Sequence, residues 1–365
     1  MKKLATAVIS ALFMLTAVNA YNPPVGTEDL YLVSSPLNIS GGLSVTGGGL
    51  FNAGSDSLIV NPALAAKEQR INLNLGYTFF YSGGYDSLIH KIGQAFQLGI
   101  MIPTKLYIVS GFVDGIFVGY NEMNLGDSIN MKIGLSKEIT DKLDVGLSLN
   151  AGIKLSSGFD WSLGANIGAV YNYGEVGFMK NFRLGFSALN LGKGYTNSTP
   201  DNGKYAIKTF DDKGRMLDST PFPTLATVKL GASATMFEND VLKVGTALDF
   251  TTPLFQNLIV DANVMLAIKE KFIISIGEKY NLKESMAGHA NYIPSIAFLF
   301  TFSFNVKSNS YLENNGWSES EMTTSAGYKN MYSTVNAFSV CADIDLGMKD
   351  TEGPKIEIFE IKEAE

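Results

Sequence analysis

The sequence is poor in the residue types from which most catalytic and metal centres are built. Of 365 residues, one is cysteine (Cys341) and two are histidine (His90 and His289). A lone cysteine excludes an internal disulfide, and Cys341 sits in an apolar–polar alternation as a small wall residue. Neither histidine has cysteine, histidine or carboxylate neighbours at metal-ligand spacing. No Gly-x-Ser-x-Gly elbow, Cys-His pair or phosphate loop is present. The Gly47-Gly48-Gly49 run follows no buried strand and opens no basic helix, so it reads as flexible packing. No enzyme, cofactor or metal is expected. Basic residues are the minority, 28 Lys and Arg against 35 Asp and Glu, which argues against nucleic acid as a partner because phosphate binding needs a basic surface. Beyond the first twenty residues no run reaches about eighteen consecutive apolar residues, which excludes a helical membrane protein.

The first twenty residues themselves read as an export signal. Lys2 and Lys3 precede an apolar stretch, Leu4–Leu15, and Val18-Asn19-Ala20 offers a small-residue cleavage site before Tyr21. Removing the two lysines takes the net charge from −7 to −9. Tyr21 is not cysteine, so lipidation at that site is not expected.

What fills the rest is alternation. Ile129, Met131, Ile133 and Leu135 share one parity, with Asn130, Lys132, Gly134 and Ser136 on the other. After Thr140-Asp141-Lys142 the pattern resumes with Leu143, Val145, Leu147, Leu149, Ala151, Ile153 and Leu155. Successive strand side chains point to opposite faces, so this is a hairpin with one oily and one wet face. Soluble strands average about 5–6 residues, whereas strands of roughly 10 residues facing lipid outside and water inside belong to outer-membrane barrels. The same period recurs over 71–82, 96–102, 106–120, 161–171, 182–188, 226–236, 242–250, 258–266, 272–276, 296–306 and 336–346. That makes thirteen strands, and bacterial barrels close with an even number. Met322, Thr324, Ala326 and Tyr328 supply a weak outward face for one more. The expected fold is therefore all-β, a 14-stranded antiparallel transmembrane β-barrel with an N-terminal plug or hatch. Its expected divisions are 1–20 signal peptide, 21–68 hatch, 69–347 barrel and 348–365 periplasmic C-terminal tail. A soluble sandwich is the competing reading, but it would need a second sheet to cover so long an oily face.

Thirty-seven glycines and 11% aromatics suit such a barrel, in turns, lumen wall and interface girdles. Lys132, Asp144, Lys154, Arg183, Lys229, Lys243, Asp249, Asp261, Asp343 and Asp345 share the polar parity and are expected to form a hydrated wall with ion pairs across strands. Residues 21–68 have neither helical nor strand period, but carry short apolar clusters such as Leu58-Ile59-Val60, which favours a plug over an extension. Leu50, Phe51, Leu58 and Ile59 are the candidate ligand-facing residues of that plug. In the third strand, Ser110-Gly111-Phe112-Val113-Asp114-Gly115-Ile116 breaks the period; Gly111, Asp114 and Gly115 suit a bulge or kink, or Asp114-Gly115 is a hairpin turn.

Asn52-Ala53-Gly54-Ser55-Asp56-Ser57-Leu58-Ile59-Val60-Asn61-Pro62-Ala63, placed just ahead of the first long strand, resembles the N-terminal signature of the long-chain fatty acid transporter (FadL-type) family. Asn190-Leu191-Gly192 at the end of strand seven and Pro221–Thr224 ahead of strand eight agree with it. The resemblance implies a barrel closed by a hatch that passes hydrophobic molecules across the outer membrane, with lateral release through a kinked third strand. The hatch motif Asn61, Pro62 and Ala63 would either hinge the gate or simply cap strand one. Implied partners are outer-membrane lipid, a hydrophobic small-molecule ligand and the barrel-assembly machinery during biogenesis. The chain departs from the family in its charged tail, Met348–Glu365, which would hang in the periplasm and offer a site for a periplasmic partner. The alternative function is an outer-membrane scaffold for protein export or surface attachment.

Overall fold

A computed structural model describes residues 35–68, 70–82, 91–104, 106–117, 127–155, 159–195, 225–286, 292–304, 320–331 and 335–346. The export segment 1–20, the first part of the expected hatch, His90, His289, Pro221–Thr224 and the tail 348–365 lie outside the described residues.

Fourteen strands follow in order: β1 (Asn72–Ser82), β2 (Lys91–Pro103), β3 (Ile108–Phe117), β4 (Ser128–Thr140), β5 (Leu143–Leu155), β6 (Phe159–Val176), β7 (Met179–Lys193), β8 (Thr227–Glu238), β9 (Leu242–Thr252), β10 (Ile259–Ile268), β11 (Phe272–Asn281), β12 (Ser295–Phe304), β13 (Ser320–Met331) and β14 (Val335–Asp345). Each pairs antiparallel with its neighbours in sequence, and β1 pairs with β14 from Asn72↔Asp345 to Ser82↔Val335, closing the barrel. The weak period at 322–328 is thus a full strand, β13, and it supplies the even number that closure requires. No helix of the described residues is long and apolar enough to cross a membrane.

The parity read from the sequence sets the two faces. In β5, Leu147, Leu149, Ile153 and Leu155 are exposed on the outside, while Ser148, Asn150 and Lys154 are buried. The outward belt of exposed Leu, Ile, Val and Phe is the surface a bilayer would cover.

Two local expectations change. β3 keeps unbroken register with β2 and β4 through Gly111, Asp114 and Gly115, so there is neither a bulge nor a hairpin turn. The break in period arises because the inward parity of β3 is apolar: Ile108, Phe112 and Ile116 point into the lumen with Ser110 and Asp114. Gly115 faces outward, where a β-carbon would collide with the Phe96 ring of β2; that ring stacks on Phe117 at 5.8 Å. Asn190-Leu191-Gly192 stands at the end of β7, as expected, one residue before its last, Lys193. The first of the three, Asn190, adopts φ 59° at a bulge opposite β6, its N–H donating to Asn166 Oδ1 at 2.7 Å. The stretch 173–181, which falls between the periods of 161–171 and 182–188, is almost all strand, with a two-residue turn at Gly177 (φ 62°) and Phe178.

Candidate functional site

Residues 35–67 lie against the inward face of the strands, and the segment is built from turns. Ser35 caps a single helical turn, Pro36–Ile39: its Oγ accepts the Asn38 N–H at 3.3 Å and donates to Asp56 Oδ2 at 2.7 Å. Gly47 and Gly48 adopt φ 85° and 76°, a left-handed conformation that side-chain-bearing residues avoid. They turn the chain around Ser44, whose Oγ accepts the Gly48 N–H at 2.9 Å. The glycine run is therefore a defined turn, not loose packing. Two 3₁₀ helices follow, η1 (Ser55–Ile59) and η2 (Pro62–Lys67).

Asn61 is the N-cap of η2. Its Oδ1 accepts the Ala63 N–H at 3.0 Å, while its Nδ2 donates to Val45 O at 2.7 Å and to Ala169 O of β6 at 3.2 Å. Pro62 occupies the first helical position, where its fixed φ fits and its missing donor costs nothing. The side chain of Asn61 thus caps a helix, joins two parts of the inner segment and ties both to the wall.

Part of the polar parity of the strands pairs across strands, as Lys132 with Asp114, and part binds this segment. Arg183 of β7 donates to Gly48 O at 2.6 Å and lies 4.8 Å over the Phe51 ring. Asp249 of β9 accepts the Val45 N–H at 2.7 Å. Asn263 of β10 donates to Ser40 O at 2.8 Å, and Ser187 of β7 donates to Val60 O at 2.8 Å. Where the inner backbone lies directly on the wall, the wall residue is glycine. A β-carbon at Gly245 would overlap the backbone of Gly49, one at Gly146 that of Pro62 and Ala63, and one at Gly277 the carbonyl of Ser40. The expected hydrated wall is therefore in large part a set of contacts to residues 35–67.

Between η1, η2 and β3 lies an oily cluster: Leu43, Val45, Leu58, Ile59, Val60, Ala63 and Leu64 of the inner segment meet Phe112 of β3 and Val170 of β6, all buried. Phe51 packs against its edge. Of the candidate residues, Leu58, Ile59 and Ala63 are brought together here, Phe51 is peripheral, and Leu50 is half-buried outside the cluster. Leu43, Val45 and Leu64 escaped the sequence reading because the segment has no period. Phe112 and Val170 carried a usable sign, apolar residues on the otherwise polar parity.

Asp114, placed on the inward face of β3, is an anchor. It pairs with Lys132 Nζ at 2.9 Å and accepts Asn130 Nδ2 at 2.8 Å; Tyr195 OH in turn donates to Asn130 Oδ1 at 2.8 Å. Lys132 also lies 5.4 Å over the Phe112 ring, so a polar layer sits directly against the oily one. Opposite, a cavity of about 250 Å³ separates the inner segment from β12–β14, lined by Phe51, Asp56, Asn72, Leu299, Asp343 and Asp345. Burial pushes the Asp56 carboxyl above its ordinary value, against the lowering effect of Ser35. Among the described residues no three His, Cys, Asp or Glu side chains gather as a metal site.

No protein-family model and no curated protein matches this chain. Solved structures do. The toluene transporter TbuX of Ralstonia pickettii superposes with a TM-score of 0.51 and 13% identity, covering 89% of this chain and 100% of its own. A deltaS2S3 mutant of the monoaromatic hydrocarbon channel TodX gives a TM-score of 0.50 and 12% identity, covering 81% of this chain and 95% of its own. At such identities the likeness is one of fold.

Proposed function

We propose that the chain is an outer-membrane channel of the FadL type for hydrophobic small molecules, with residues 35–67 as its hatch. The observation that carries this reading is the oily cluster inside the barrel, where Leu58, Ile59, Leu64 and Phe112 meet. A water-filled porin has a polar lumen; apolar residues massed between a removable segment and one strand make a surface on which an apolar molecule replaces packing the hatch gives up. Ligand pockets are mostly apolar with a few placed polar groups, and the Asp114–Lys132 pair beside Phe112 is such a group. The toluene and monoaromatic hydrocarbon channels that share the fold support the same class of cargo.

The test is uptake of an uncharged aromatic probe, N-phenyl-1-naphthylamine, by cells whose outer membrane carries the wild-type chain or Phe112→Asp. The wild type is expected to raise uptake over cells without it, and the acidic substitution to remove the gain while the barrel stays heat-modifiable. Uptake no greater than in cells lacking the protein rejects the reading. Co-purification of a stoichiometric protein partner from the same membranes would favour the scaffold role instead.

A further inference from the structure

Leu37, Phe51 and Ala53 belong to two surroundings at once. They are the part-buried apolar residues packed against the oily cluster, and all three also line the cavity of about 250 Å³ toward β12–β14. The partition between cluster and cavity is therefore one side chain thick. Beyond it the cavity is polar, with Asp56, Asp343 and Asp345 on its walls. It reaches Lys67 and Asn72, where the inner segment ends and β1 begins. Cluster, partition and cavity thus follow one another across residues 35–67, from the β3 side to the end of the barrel at which the segment joins the wall.

Within the partition, Phe51 is held in an unusual way. Its φ is 56°, a left-handed conformation that bulky residues rarely adopt and that costs them energy. The turn is fixed on both sides of it: the Phe51 N–H donates to Gly48 O at 3.3 Å, and the Asn52 N–H to Gly47 O at 2.7 Å. The Arg183 guanidinium lies 4.8 Å over the ring, and the ring edge lies so close to Gly47 that a β-carbon there would come within 2.9 Å of it. Arg183 is itself positioned by donation to Gly48 O and, at 3.3 Å, to Ser233 Oγ. A guanidinium over a ring face holds an aromatic side chain without interlocking it. Strained backbone kept in place by its surroundings recurs at ligand clamps and switches.

We infer that Phe51 is a door through the hatch: its ring leaves Arg183, and an uncharged apolar molecule passes from the oily cluster into the cavity while residues 35–67 stay seated. This rests on the transport reading above and names its route. The two ends of the route differ in the sense that release requires. In the cluster the molecule is surrounded by apolar side chains, and burial there is favourable in proportion to its area. In the cavity it stands against carboxylates and an amide, gains less and leaves. Turning one side chain also asks for less than lifting the segment, which would break the bonds from Arg183, Ser187, Asp249 and Asn263 to its backbone.

The test separates the door from the segment that carries it. Ser40 Oγ and Ser275 Oγ lie 2.8 Å apart, so Ser40→Cys with Ser275→Cys, in a full-length chain carrying Cys341→Ser, ties the inner segment to β11. The other end of the segment is already continuous with β1. Uptake of N-phenyl-1-naphthylamine is measured on the oxidised and then the reduced form, and is expected to be the same in both. In the oxidised chain, Phe51→Leu removes the ring that Arg183 holds and is expected to raise the rate about 2–30-fold, the range that a cation–π contact represents. Phe51→Trp, with a larger ring and a stronger hold on the guanidinium, is expected to lower it. A residue that served only to pack the segment would shift uptake in one direction for both substitutions. Unchanged rates, or shifts of the same sign, overturn the door while transport stands. So does uptake that is lost on oxidation and regained on reduction, since the segment must then leave its seat. No uptake by the wild type overturns transport and the door with it.

Discussion

Asn61 concentrates more structural consequence than any other side chain of the lumen. Asn61→Ala removes a helix cap, worth about 0.5–2 kcal/mol, together with donation to Val45 O and Ala169 O. The expected outcome is protease cleavage within residues 35–67 while the barrel keeps its heat-modifiable mobility; melting of the barrel itself would mean that the motif serves strand one alone. Asp56 gives a pH dependence. Its carboxyl is raised by burial, so the packed state binds a proton that the released segment gives up. That contribution is complete below the ordinary carboxylate value and is lost as pH rises through the elevated one. Hydrogen-exchange protection of η1 should therefore fall from acidic to neutral pH, and Asp56→Asn should flatten the profile and raise protection at its upper end. Facing lipid, Leu149 stands at the centre of β5 and is 59% exposed. Leu149→Lys is expected to cost about 2–4 kcal/mol if it lies at the bilayer midplane, read as a lower denaturant midpoint for barrel unfolding. Its neighbour Ser148 is no neutral control, because it accepts Asn166 Nδ2 at 2.9 Å and is buried.

Among elements, the strands were legible and the lumen was not, for one physical reason. A strand between lipid and interior must alternate, and that constraint writes itself into every second residue; β5 runs over 143–155 in both sequence and structure. β13 was faint because Met322, Thr324 and Ala326 are weakly apolar, and it was recovered only by the need for an even count. In β3 the alternation is lost because its inward face is partly apolar, while its register with both neighbours is unbroken. The inner segment follows no period because its partners are chosen point by point from β6, β7, β9, β10 and β11. Its glycine contacts are the clearest case. Gly245→Ala would push a β-carbon into the Gly49 backbone, and backbone, unlike a flexible side chain, cannot step aside. The expected cost is about 1–3 kcal/mol, appearing as faster proteolysis of residues 35–67 with β9 pairing intact.

For the whole molecule, the hatch reading predicts that deletion of residues 21–56 leaves a closed barrel with altered permeability to apolar probes. An intact truncated barrel that takes up N-phenyl-1-naphthylamine at the original rate would remove the gate from the account. The seating of the inner segment also bears on how the chain is made. Residues 35–67 precede every strand, yet their contacts extend to β13, where Gly327 lies against Pro36, and to the Asp343 cavity beside Asp56. The earliest part of the described chain therefore has no complete berth until the last hairpin has joined β1. During assembly it must wait, unseated, while the wall grows around it, so its acquisition of protease resistance would serve as a clock for ring closure, lagging the formation of the first hairpins and coinciding with the pairing of β14.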